Sequence, residues 1–211
     1  MKTAIKHFKL ICAHKKEVFK ACWKAGIPFR GLKHDLSKFS PTEFLESVRY
    51  YSGSRSPIDS CKDDKGYSMA WFHHRGRNRH HWEYWVDNFE KGITPILMPF
   101  DDCLEMLCDF IGAGKAYNKE NFSWKGELDW WITKRKVVIM HPVVWHFIDY
   151  MMQELCANNN DSTLTYEQCY LLYKEIKDDY EAGTLPEMYN SKTRLIDFEG
   201  QYERRILQFS T

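Results

Sequence analysis

An all-α bundle with a C-terminal helical extension is the fold the sequence predicts, on three observations. Apolar residues recur at helical spacing, helix-start and helix-stop residues bracket those runs, and alternating strand patterns are nearly absent.

From about Thr3 to Ala25, Phe8, Ile11, Cys12, Val18, Phe19, Cys22 and Trp23 follow the helical period, and Gly26-Ile27-Pro28 ends the run. A short segment, Gly31 to Lys38, comes next. Ser40 reads as an N-cap, Pro41 as the first helical residue and Glu43 as the acid of a capping box, so a second helix spans about Pro41 to Tyr51. Gly, Ser, Pro and a Lys62-Asp63-Asp64-Lys65 run make Ser52 to Gly66 a solvated loop. Further helices are predicted at about Ser68 to His74, Arg79 to Lys91, Pro99 to Ile111, Glu127 to Val138, Pro142 to Ala157 and Tyr166 to Ala182. The Asn158-Asn-Asn-Asp161-Ser162 stretch reads as a linker, dividing a domain at 1–157 from an extension at 158–211. No solenoid-like repeat is present.

At 211 residues, 44% hydrophobic and 28% charged, the chain can bury a sizeable core. Thirty Lys and Arg stand against 29 Asp and Glu, which leaves no whole-molecule field for gripping nucleic acid or an anionic membrane, so any basic character is local. Seven cysteines without a C-x-x-C pair, most at apolar helical positions, read as reduced thiols. The N-terminus alternates charge with apolar residues, and no apolar run approaches the roughly 18 residues of a membrane span. The expectation is a cytoplasmic protein with neither signal peptide nor anchor.

The segment Gly31-Leu-Lys-His34-Asp35-Leu-Ser-Lys38 carries most of the chemical information. Imidazole and carboxylate together suit Mn, Fe, Co, Ni or Zn, and the long ring and short acid of an adjacent pair can reach one ion. His14 lies at the margin of the first helix's apolar stripe, beside Ile11 and Val18. His7, two turns earlier on the same side, is its alternative. The segment Trp71 to Glu83 packs His73, His74, His80 and His81 with Arg75, Arg77 and Arg79 among aromatics; without a ligand role it is a solvated basic loop. On a helix from Arg79, His81 borders the stripe of Trp82, Trp85, Val86 and Phe89 while His80 points away, so His81 is the favoured ligand and His80 an outer residue. Asp102, Glu105 and Asp109 share one face of a helix whose other positions are mostly apolar, and buried carboxylates need a cation. Gly112-Ala-Gly114-Lys115 lacks P-loop spacing and reads as a helix C-terminus with Lys115 near the site. His141 and His146 read as structural.

The His34-Asp35-Leu36-Ser37-Lys38 run resembles the signature of the HD superfamily of metal-dependent phosphohydrolases, an adjacent His-Asp followed by an aliphatic residue, a small residue and a lysine. His14, His34-Asp35, His74, His80-His81 and Asp109 also fall in that superfamily's ligand order, and the resemblance covers roughly Lys6 to Tyr117. The same run and the Asn78-Arg79-His80-His81 segment are similar to an uncharacterised bacterial and phage branch. The resemblance implies an HD-like bundle with one or two divalent ions, drawn from Mn, Fe, Co, Ni or Mg. One would be held by His14, His34, Asp35 and Asp109, with Asp102 and Glu105 as alternatives to the last. The second would be held by His74 and His81 with Asp35 shared. It further implies hydrolysis of a phosphate ester, a nucleotide or relative, with Lys38, Arg77 and Arg79 as donors to the phosphate. Two other classes stay open: a di-iron oxygenase on the same ligands, and a helical nucleic-acid-binding module using the Arg-His segment.

Overall fold

The structure is a computed structural model that describes residues 2–53, 55–89 and 92–186. Among these residues it is mostly helical, with nine α-helices and one two-stranded sheet, and no helix is long and apolar enough to cross a membrane. The chain forms two compact units, Met1–Trp85 with Asp101–Glu120, and Val86–Phe100 with Asn121–Thr211.

The first unit is built from α1 (Lys2–Lys24), α2 (Pro28–Lys33), α3 (Pro41–Tyr50), α4 (Pro57–Lys65), α5 (Met69–Arg75) and nearly all of α6 (Phe100–Asn118). Ser40 caps α3 by accepting from the Glu43 N–H at 3.4 Å, with Pro41 in the first turn, and Ser68 caps α5 by accepting from the Trp71 N–H at 3.0 Å. Two glycines set how closely the helices approach. A Cβ on Gly31 would lie 2.6 Å from Cys22 Cβ, so α2 rests directly on α1. A Cβ on Gly112 would lie 2.4 Å from Val18 Cγ2 and 2.7 Å from the Val18 backbone nitrogen, so α6 meets α1 backbone to backbone. Gly112 sits three residues beyond Asp109, and Val18 one turn beyond His14, so this contact also fixes the distance between those two side chains.

Gly112→Ala is therefore expected to cost about 1–3 kcal/mol by overpacking and to loosen any metal ion that His14 and Asp109 bind. Denaturant unfolding with metal analysis measures both. A variant as stable as wild type, with unchanged metal, would show that the contact does not set the spacing.

Three expectations about this unit are corrected. The loop expected over Ser52 to Gly66 contains α4, whose high charge hid a helix begun by Pro57 and ended by Gly66 at φ 79°. Gly112 and Gly114 do not end a helix: α6 continues to Asn118, because the close approach to Val18 outweighs the roughly 1 kcal/mol that a helical glycine costs. The segment from Arg79 is not a helix; Arg79 to His81 form a turn, followed by a 3-10 turn at Trp82–Trp85 and strand β1 (Val86–Phe89). Residues 90 and 91 of that segment lie outside the described residues.

In the second unit, β1 pairs antiparallel with β2 (Gly92–Pro95), Val86 opposite Pro95. Helices α7 (Trp124–Lys134), α8 (Pro142–Asn158) and α9 (Tyr166–Glu181) group here, across the 157/158 boundary expected from the sequence. Their core includes Trp131, Trp145, Phe147, Ile148 and Leu155. Asp149, fully buried, accepts from Trp131 Nε1 and Arg135 Nη1 at 2.7 Å each and from Gln153 Nε2 at 2.8 Å. Burial pushes its carboxyl above the usual range despite Arg135. His141 caps α8 by accepting from the Val143 N–H, and His146 pairs with the Pro186 carbonyl at 2.9 Å, so both serve structure. The extension beyond residue 186 lies outside the described residues.

Candidate metal centre

The His34-Asp35 pair lies at the joint between α2 and the 3-10 turn Leu36–Phe39. Asp35 takes a left-handed conformation, φ 56° and ψ 26°, which costs about 1 kcal/mol for a residue other than glycine. That reversal brings the Asp35 carboxylate back beside the ring of its own neighbour, His34.

Asp35 Oδ2 lies 3.3 Å from His14 Nε2 and 3.2 Å from His34 Nε2. Asp109 Oδ1 faces the same two nitrogens at 3.1 and 3.3 Å, and the nitrogens are 3.4 Å apart. The other Asp35 oxygen, Oδ1, lies 3.2 Å from His74 Nε2 and 3.3 Å from His80 Nε2, and His81 joins this second set. Buried His14, His34, Asp35 and Asp109 thus form one group that could hold a metal ion, and buried Asp35, His74, His80 and His81 another, within one compact unit.

The orientation of the rings argues for a cation more strongly than their proximity does. His34 Nδ1 and His80 Nδ1 each lie 3.1 Å from the same oxygen, Glu105 Oε1, and His74 Nδ1 lies 2.7 Å from Glu43 Oε2. A carboxylate at Nδ1 accepts a hydrogen bond from the ring N–H there and leaves the Nε2 lone pair pointing inward, the arrangement of metal-binding histidines. The buried Nε2 atoms of His74 and His80 face the Asp35 carboxylate at 3.2 and 3.3 Å, and the buried Nε2 of His81 has no hydrogen-bond partner. Buried lone pairs facing buried carboxylates repel unless a proton or a metal ion lies between them. The residues fit one or two metal ions.

Electrostatics agree. Burial opposes charge on His34, but Asp35 and Asp109 outweigh it and hold the ring well above the ordinary histidine range; the same field attracts a metal ion. Burial also opposes ionisation of Asp35, and His34, Lys38 and His74 overcome it, holding the carboxyl well below its usual range. Burial, then the neighbouring His80 and His74, push His81 far down, so its ring is neutral. Glu105 is drawn down to about 2: burial resists, and its bonds to His34 and His80 prevail.

Beyond the ligand groups, Glu105 Oε2 accepts from Arg30 Nη1 at 3.1 Å, and the same nitrogen lies 2.7 Å from Asp102 Oδ1. Asp102 is buried but serves as the anchor of two arginines rather than as a ligand. Glu43 spans His74 and His73, its Oε1 lying 2.6 Å from His73 Nδ1. Its place in the helix start made it a capping-box acid in the sequence, and in the fold its carboxylate turns to the histidines instead.

The donors expected for phosphate divide. Lys38 Nζ contacts Asp35 Oδ2 at 2.5 Å, at the first group. Arg79 is engaged elsewhere, with Nε and Nη2 on Asp102 Oδ2 at 3.1 and 2.9 Å and its guanidinium 4.7 Å from the Trp85 ring. Arg77 reaches the His73 carbonyl from an exposed position. His7 is not in a ligand group: its ring packs against Phe44 and Tyr51 at 5.5 and 5.3 Å, and burial, with Lys38 nearby, lowers it to about 4.

The helical phase expected from Arg79 would turn His80 away from the site, but no helix forms there; in the observed turn both adjacent rings face inward, and His80 is 3% exposed. Gly76 and Asn78 are the breaker signals that mark this turn in the sequence. His80→Ala and His81→Ala are both expected to weaken the second group's metal about tenfold or more. Only His80→Ala should also weaken the first group, because its removal takes one of two partners from the Glu105 oxygen that orients His34. Metal titration of the two variants checks this, and full retention of both ions in His80→Ala would contradict it.

Fold and site together define a mostly helical protein with a buried histidine-carboxylate centre able to hold metal. The chain belongs to the family of unknown function DUF5662, whose family model matches residues 3–154. No curated protein and no solved structure matches it.

Proposed function

We propose that the protein is a metal-dependent phosphohydrolase of the HD kind, acting on a nucleotide or related phosphate ester. The observation that carries this reading is one carboxylate, Asp35, shared by two ligand groups and contacted at 2.5 Å by a lysine. The chain order of the ligands supports it, since His14, His34-Asp35, His74 and Asp109 follow the HD pattern. Histidine nitrogens with carboxylate oxygens suit Mn, Fe, Co or Ni.

His14, His34, Asp35 and Asp109 would hold one ion, and His74, His80 and His81, with Asp35, a second. When bound, such ions supply the Lewis acidity that ionises water and neutralises phosphoryl charge. Glu105 and Glu43 keep the ring protons on Nδ1, so His34, His80 and His74 present lone pairs. Lys38, beside the shared carboxylate, is placed to donate to a phosphate oxygen as negative charge develops.

The test is elemental analysis of protein purified without chelator, followed by a phosphate-release screen over nucleotides with added Mn. The reading expects bound divalent metal and phosphate release that Asp35→Asn abolishes. Metal-loaded protein that releases no phosphate, or protein that binds no metal, would overturn it. Stoichiometric iron with a redox-dependent visible spectrum and no phosphatase activity would instead favour oxygen chemistry on the same ligands.

A further inference from the structure

The near-zero net charge conceals a strong asymmetry. Residues 1–40 hold ten Lys and Arg against two acids, Glu17 and Asp35, while the whole chain is only +1. Helix α1 buries one stripe, which includes His7, Ile11, His14 and Val18. It carries a second apolar stripe, Ile5, Phe8, Cys12, Phe19 and Trp23, whose members lie three, four or seven residues apart and so on one side. A helix that packs on a core through one stripe gains nothing in water from another.

Exposed apolar side chains continue beyond α1. Helix α2 rests against Cys22 and Phe19 through Gly31, and its Phe29 and Leu32 are 79% and 63% exposed. Leu36 in the following turn is 56% exposed, and the Phe39 ring returns to Phe8 at 5.7 Å. Trp23 is 66% exposed at the other end. Exposed lysines border this surface. Lys9 and Lys16 lie four residues beyond Ile5 and Cys12, and Lys33 follows Leu32, while Lys20, three before Trp23, pairs with Glu17 at 2.8 Å.

We propose that the α1–α2 face docks the protein onto the surface of an anionic lipid bilayer. Large apolar side chains bordered by lysines match the two layers such a surface offers, the acyl boundary and the anionic headgroups. A second copy fits less well, since it would press two lysine borders together. Nucleic acid would use the lysines but leave Phe29, Leu32 and Leu36 in water. The inference uses none of the metal ligands and stands apart from the proposed reaction.

Flotation of the full chain with vesicles tests it, comparing phosphatidylcholine alone with phosphatidylcholine plus phosphatidylserine. The protein should float with the anionic vesicles and weaken as salt is raised. The triple variant Lys9→Gln, Lys16→Gln, Lys33→Gln should lose about 100-fold in affinity. The triple variant Trp23→Gln, Phe29→Gln, Leu32→Gln should lose at least about tenfold. Circular dichroism and thermal unfolding of both should match wild type, since the altered side chains are exposed. Absence of wild-type binding to anionic vesicles overturns the proposal, as does binding unchanged in the apolar variant. So does a wild-type dimer that the apolar variant dissociates without any vesicle binding, or binding to nucleic acid alone.

Discussion

Asp35→Ala is expected to remove metal from both ligand groups at once and to abolish turnover while the helices persist. Each of its oxygens serves a different group, Oδ2 facing His14 and His34, and Oδ1 facing His74 and His80. The other ligands each belong to one of those two sets, so His34→Ala should cost the first group far more than the second. Loss of the shared carboxylate also strands the Lys38 ammonium, which Asp35 and Asp109 hold above its usual range against burial. Asp35→Asn serves as the folding control, because asparagine tolerates the left-handed backbone at φ 56° as readily as aspartate. Elemental analysis, circular dichroism and phosphate release on the same samples give the answer. Normal metal content and turnover in either variant would remove Asp35 from the centre.

Glu105→Leu should have the next largest effect, although Glu105 is assigned to neither of the two ions. One oxygen orients both His34 and His80, whose Nε2 atoms belong to different groups. Without that acceptor the two ring protons are free to move to Nε2, where they block binding. Affinity at both groups should therefore fall about 10- to 100-fold. Glu105→Gln retains an oxygen that can accept both N–H bonds, so it should recover much of the loss. A leucine variant that binds both ions normally, or weakens at one group only, would contradict this role.

Much of this centre was legible in the sequence because the clues are local. His34-Asp35 is adjacent, His14 sits on the edge of a clear helical stripe, and Asp109 lies on a helix too apolar to be a surface helix. The cap at Ser40 and the breakers at Gly26 and Pro28 mark the limits of α1 and α3 to within a few residues. The rest depends on contacts distant in the chain. Glu43 looks like a capping acid until α5 brings His73 and His74 against it, 30 and 31 residues away. Glu105 is one of three acids on a face until the fold brings it to His34 and His80. The segment around Trp82 to Phe89, rich in aromatics, suits a helix or a strand equally, and pairing with Gly92–Pro95 decides it. Gly112 suggests a helix end in isolation and becomes a helix interior only because Val18 fills the space where its side chain would be.

The two-group centre is tested most directly by titrating Co(II) into chelator-stripped protein and following visible absorption together with bound metal. Wild type should saturate at two equivalents per chain, His81→Ala should retain one, and Asp35→Asn should bind neither tightly. Failure of wild type to bind saturably, or two equivalents held undiminished by Asp35→Asn, would contradict a centre built on a shared aspartate.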